Sequence, residues 1–170
     1  MLREDRRREA VLARTDSVTH LTNSRGFLEL LETAVGQTKV ICVMYVDLDN
    51  FKRVNDAFGH GSGDAVLEQT AAALRDCIRA TDVAARVGGD EFAVILREIE
   101  LADAEAIARR ILEKVRLIAR DFDGTGLGAS LGLAIARRSV SAEELIKAAD
   151  DAMYDAKQRE KGSFAVRVLS

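Results

Sequence analysis

The longest apolar run of the chain, Val40-Ile41-Cys42-Val43-Met44-Tyr45-Val46, lacks the polar alternation of a half-exposed strand. It predicts a central strand covered on both faces. Before it, Phe27, Leu28, Leu30, Leu31 and Val35 give a helix over 25–35. After it, Val66, Leu67, Thr70, Ala71, Leu74 and Ile78 repeat at helical spacing over 63–79, with Asp64 placed to cap the first turn. Residues 83–87 and 92–96 are short β-like stretches, and the Gly88-Gly89 pair between them predicts a tight hairpin with glycines at positive φ. Ala104, Ile107, Ala108, Ile111, Val115 and Ile118 mark a long amphipathic helix, and 129–135 a further strand. Ser141 and Glu144 form a capping-box pattern ahead of a helix carrying Leu145, Ala148, Ala149, Ala152 and Met153, and 164–168 closes as a strand. Residues 2–14 form a charged helix with too little apolar surface for a core element. They would suit either a solvated segment or the end of a longer coiled coil. A hairpin inside an otherwise alternating order argues for an α+β fold, an α/β sandwich with a mixed central sheet flanked by helices, rather than a purely parallel one.

Two groups of acids interrupt this apolar framework. Asp90 and Glu91 sit at the hairpin tip, and Asp47-Leu48-Asp49 follows the central run directly. Carboxylates clustered at the ends of core strands, with no His or Cys beside them, suggest a site for a hard divalent cation, Mg²⁺ or Mn²⁺ rather than Zn²⁺. Without the cation such acids repel each other, so at least one should have a raised pKa.

Bulk properties narrow the classes further. The 170 residues are 48% hydrophobic and 31% charged, as in a soluble globular domain with one core. A net charge of −3 offers no general attraction to a nucleic acid polymer or an anionic membrane, so any phosphate binding has to be local. Cys42 and Cys77 both fall on apolar faces and are expected as buried thiols. No stretch has the length of a membrane span and the basic N-terminus lacks a signal-peptide core, so a cytoplasmic location is expected.

Five ordered blocks then carry a family resemblance. They are Asp16-Ser17-Val18-Thr19-His20-Leu21-Thr22-Asn23; residues Asp47 to Asp56; Phe58-Gly59-His60 with Gly63-Asp64; the glycine hairpin; and Ala149-Asp150 with Tyr154 and Ala156-Lys157. Over residues 16–164 the chain resembles the GGDEF family of diguanylate cyclases, which condense two GTP molecules into cyclic diguanylate. The resemblance implies a nucleotidyl cyclase and polymerase-palm type of fold over 16–168, preceded by a linker or signalling helix over 1–15. It implies metal binding by Asp47, the Leu48 carbonyl and Asp90, with Glu91 as a ligand or as the group that helps deprotonate the 3′ hydroxyl. Guanine would be read by Asn55 and Asp64, and the triphosphate held by backbone around Asn50 and Phe51 with Lys52, Lys157 and Lys161. Arg79 and Asp82 match the family's Arg-x-x-Asp inhibitory site for the product. The implied partners are GTP, cyclic diguanylate, a second copy of the chain, and an upstream sensor in a longer parent.

Some positions depart from the family pattern. His20 stands where glycine is usual, Ser24 replaces an arginine, and Glu160 and Gly162 alter the run around Lys161. None of these touches the metal carboxylates. The alternative reading is a catalytically silent module that binds GTP or cyclic diguanylate, although such degenerate members usually lose the hairpin acids that this chain retains.

Overall fold

The structure, a computed structural model, describes residues 2–170. Five strands form one mixed sheet: β1 (Ile41–Asp49), β2 (Val83–Arg86), β3 (Glu91–Arg97), β4 (Gly128–Ala136) and β5 (Phe164–Leu169), in the spatial order β2-β3-β1-β4-β5. The apolar run lies at the centre, with β3 and β4 antiparallel on either side of β1 and β5 parallel to β4. Among the described residues, six α-helices accompany the sheet: α1 (Leu2–Leu12), α2 (Ser24–Val35), α3 (Phe51–Phe58), α4 (His60–Cys77), α5 (Leu101–Ala119) and α6 (Ala142–Arg159).

Strand alternation divides the core in two. Even positions of β1 (Cys42, Met44, Val46, Leu48) pack with Phe92, Val94 and Leu96 of β3 against α4 and α5. Odd positions (Ile41, Val43) pack with Ala93 and Ile95 against α2 and α6. The odd series continues through Tyr45 to Asp47 and Asp49, so both acids point to the α6 side. Both cysteines are buried free thiols, and burial pushes that of Cys42 up to about 12. No helix among the described residues is long and apolar enough to cross a membrane, and α1 buries none of its side chains.

Several expectations need correction. The segment 51–58 is helical, although the sequence reading assigned no element there; Phe51, Val54 and Phe58 at i, i+3 and i+7 are its apolar side. Asp64 does not cap α4. That helix starts a turn earlier at His60, behind Gly59 at φ 90°, which leaves Asp64 exposed within it. Asp47 and Asp49 lie inside β1 rather than beyond it. Ser141 Oγ does accept from the Glu144 N–H at 3.1 Å, but Glu144 turns its carboxylate to Arg138, so only half of the capping box forms.

Candidate active site

Register brings the acids together. Asp47 of β1 stands opposite Glu91 of β3 on one side and Ser130 of β4 on the other. The Leu48 N–H donates to the Asp90 carbonyl at 3.0 Å, which ties the glycine turn to the end of the central strand. Asp47 and Asp49 are 8% and 5% exposed. Asp49 is satisfied by the Ser130 hydroxyl at 3.0 Å, whereas Asp47 meets the ammonium of Lys157, which reaches in from α6 across 110 positions of sequence.

The electrostatics follow from this crowding. Burial, then the charge of Asp47, raises the Asp90 carboxyl above its ordinary value. Glu91 is raised by burial and by Asp47, Asp90 and Asp150 together. Burial works against the charge of Lys157, but the hydrogen bond and charge of Asp47, with Asp49 and Asp90 behind it, hold the ammonium above its usual range. A cation is therefore favoured at this spot. Among the described residues no three His, Cys, Asp or Glu side chains converge closely enough to hold an ion by themselves. Asp47, Asp90, Glu91 and the Leu48 carbonyl fit Mg²⁺ or Mn²⁺ on condition that phosphate oxygens complete the shell, which is how Mg²⁺ is ordinarily held.

The turn beside them is not built as the sequence suggested. Neither Gly88 nor Gly89 has positive φ. The glycines provide room: a Cβ on Gly88 would lie 3.0 Å from Glu91 Oε2, and nothing lies within 4 Å of one on Gly89. Arg86 holds the turn from below, with Nε donating to the Gly88 carbonyl at 3.2 Å and Nη2 to that of Gly89 at 2.8 Å. Its Nη1 lies 3.2 Å from Asp16, whose carboxylate also accepts from the Thr19 N–H and hydroxyl. The N-terminal turn is thereby fastened to the acid-bearing one.

The nucleotide candidates occupy the same end of the sheet. Asn50 sits at φ 59° and donates its side chain to the Gly126 carbonyl at 2.8 Å, so no side chain caps the first N–H groups of α3. Phe51 is half-buried and Lys52 exposed in that first turn, and Lys161 is exposed between α6 and β5. Asn55 is half-buried, and its Oδ1 is buried without a hydrogen-bond partner. It lies against Gly63, where a Cβ would come within 1.9 Å. At the far end of β2, Asp82 accepts from the Arg79 N–H and Nε, both at 3.0 Å, and from Nη2 at 3.1 Å. The Asp82 side chain is fully buried while that of Arg79 is 53% exposed.

Sequence reasoning did not single out Asp49 with Ser130, the Arg86–Asp16 clasp, or Tyr45. Burial and the charges of Asp150 and Glu91 push the Tyr45 hydroxyl up to about 12. The Asp-x-Asp spacing was the available signal for Asp49. Nothing local marks Ser130 as its partner.

The chain is similar to known proteins over most of its length. The family model described as "Diguanylate cyclase, GGDEF domain" matches residues 13–163. Diguanylate cyclase A of Treponema denticola is 34% identical over 154 residues, covering 85% of this chain and 42% of its own length. Cyclic di-GMP phosphodiesterase PdeR of Escherichia coli is 39% identical over 170 residues, 96% of this chain but 26% of its own length. The chain thus spans only about a quarter to under half of these relatives. Among solved structures, the coiled coil and GGDEF domain of DgcB from Caulobacter crescentus in complex with c-di-GMP superposes with a TM-score of 0.89 at 27% identity. That match covers 98% of this chain and 92% of the other.

Proposed function

From the premise that the chain belongs to the GGDEF family of diguanylate cyclase domains, we propose that it joins two GTP molecules into cyclic diguanylate and two pyrophosphates. The observation that carries this is the placement of Asp47, Asp90 and Glu91 at one end of the sheet beside Lys157, spaced so that phosphate oxygens would have to complete a cation's shell, with open space at Gly89 of the adjoining turn.

Each bond of the product forms when the 3′ hydroxyl of one GTP attacks the α-phosphorus of another and pyrophosphate departs. Asp47, Asp90 and the Leu48 carbonyl, with Glu91 beside them, would hold a Mg²⁺ or Mn²⁺ ion, which would neutralise charge on the phosphoryl oxygens and ease loss of the hydroxyl proton. Lys157 leaves Asp47 for the triphosphate, assisted by Lys52, Lys161 and the uncapped N–H groups at Asn50 and Phe51. Glu91, next to Asp90 and opposite Asp47 in the sheet, would serve as a further ligand or as the group that helps take the 3′ hydroxyl proton. Asn55 offers its orphaned Oδ1, and Asp64 its carboxylate, to the N–H groups of a guanine edge. Adenine, whose N1 is an acceptor and which lacks the 2-amino group, would leave at least one of these acceptors unpaired. Gly63→Ala is therefore expected to displace Asn55 and raise KM for GTP about tenfold, with kcat less affected. Unchanged KM in steady-state assays would remove Asn55 from the binding scheme.

A product made of two identical halves calls for two copies of the chain, one GTP on each, facing across a two-fold axis. Arg79, pre-oriented on buried Asp82, is the inhibitory contact for the released product. Arg79→Ala is expected to raise the final yield of cyclic diguanylate. If added product still inhibits that variant as before, the assignment is wrong.

A second reading, a silent nucleotide-binding module, draws on the 39% identity to a protein named as a phosphodiesterase. Incubation of the chain with GTP and Mg²⁺, alone and fused to a dimerising coiled coil, separates the two. Cyclic diguanylate in either sample supports the cyclase, and GTP binding without product in both supports the silent module.

A further inference from the structure

Among the described residues, three other than glycine adopt positive φ: His20 at 59°, Asn50 at 59° and Glu98 at 46°. Two have evident local duties. The Asn50 side chain bonds the Gly126 carbonyl, and the Glu98 carboxylate accepts from the Lys39 N–H at 2.8 Å. His20 is different, because its imidazole makes no hydrogen bond among the described residues and is exposed. A glycine would meet the backbone requirement there without strain. Strain retained where a simpler residue would serve points to a use for the side chain.

His20 borders a cavity of about 500 Å³ that it shares with Arg75, Ile78, Arg79, Asp82 and Ala84. Asp82 is the sole acid on the wall, and its oxygens are already engaged: Oδ2 by the Arg79 N–H and Nε, Oδ1 by Arg79 Nη2 and the Arg97 N–H. Arg75 crosses the cavity's base to the Thr19 carbonyl at 2.9 Å, fixing the loop that carries His20. The cavity thus combines two guanidinium groups, small apolar side chains and one planar ring. These are complementary to a flat base joined to a phosphodiester, and not to a cation or a purely apolar ligand.

Building on the assignment of Arg79 and Asp82 as the inhibitory site, we propose that His20 is a ligand-contacting residue of that site, its imidazole packing against a purine of the cyclic dinucleotide held by Arg79. The exchange of the usual glycine for histidine would then trade backbone comfort for a tighter grip on the product.

Calorimetric titration of the whole chain in chelator, with cyclic diguanylate, GTP and pyrophosphate as separate ligands, tests this on the parent, His20→Gly, His20→Asn and Arg79→Ala. Both His20 variants should fold at least as stably as the parent. Each should bind cyclic diguanylate about tenfold more weakly, the scale of one base-stacking contact, and Arg79→Ala more weakly still. Parent-like binding by His20→Gly alongside loss in Arg79→Ala would overturn the role of His20 and leave the inhibitory site standing. Parent-like binding by Arg79→Ala would remove both. Binding of pyrophosphate with the same dependence on His20 would make the cavity a general anion site and refute the purine contact.

Discussion

Asp90→Asn is expected to cut turnover by about a hundred- to a thousandfold while melting at a higher temperature than the parent in the presence of a chelator. The first effect follows from removal of a charged oxygen from the proposed cation site beside Asp47. The second follows from the sign of the linkage. The folded chain raises the pKa of Asp90, through burial and then the charge of Asp47, so it binds this proton more readily than the unfolded chain does. Stability from that proton is present below the unfolded pKa and is lost as pH rises through the folded one, which makes the ionised acid at neutral pH a cost to the metal-free fold. An amide carries no charge to repel Asp47 or Glu91. The gain should shrink as pH falls into the carboxylate range, and added Mg²⁺ should stabilise the parent but not the variant. Melting curves from pH 4 to 8, with and without the cation, check all of this. Parent-like turnover in folded Asp90→Asn would falsify the metal-site assignment outright.

Gly132→Ala should have the largest effect on folding. A Cβ there would lie 2.1 Å from the Ala149 carbonyl oxygen and 2.2 Å from the Met153 backbone nitrogen, so α6 itself would have to lift from β4. Backbone cannot rotate away as a side chain can. The expected cost is about 3 kcal/mol or more, lowering Tm by about 10 °C. Lys157 lies one turn beyond Met153 on α6, so any protein that survives should also have lost the approach of Lys157 to Asp47. Gly89→Ala is the control, with open space around its added methyl. A Gly132→Ala protein that melts with the parent would show that α6 does not rest on β4 through this residue.

The fold was legible wherever a segment's own pattern decided its structure. The run 40–46, rich in β-branched residues, pointed to a buried strand, which forms over Ile41–Asp49, and the amphipathic helices through Leu74, Ile111 and Leu145 were set by spacing alone. The failures came where neighbours decided. His60-Gly61-Ser62-Gly63 has the composition of a loop, yet it forms the first turn of α4, continuing from the Gly59 turn that follows α3. The glycines of the hairpin suggested unusual φ but serve clearance, a distinction that only the position of Glu91 reveals. Asp47, Asp90 and Glu91 stood out as candidates because two groups of acids at the ends of apolar strands are anomalous in any sheet. The approach of Lys157 to Asp47 and the bond of Ser130 to Asp49 depend on α6 and β4 folding back across β1, which no local spacing encodes.

The alternation of β1 has one more consequence. The even side chains that fill one half of the core and the odd acids that form the site are successive letters of one nine-residue strand. A single-residue insertion between Met44 and Val46 would send Asp47 toward α4 and α5 and turn Val46 toward Lys157. Substitutions can alter solubility or activity separately along this strand, but length changes cannot. Descendants of this chain are therefore free to drift in residue identity along β1 while its residue count stays locked, with insertions confined to connections such as 137–140 that lie outside the paired strands.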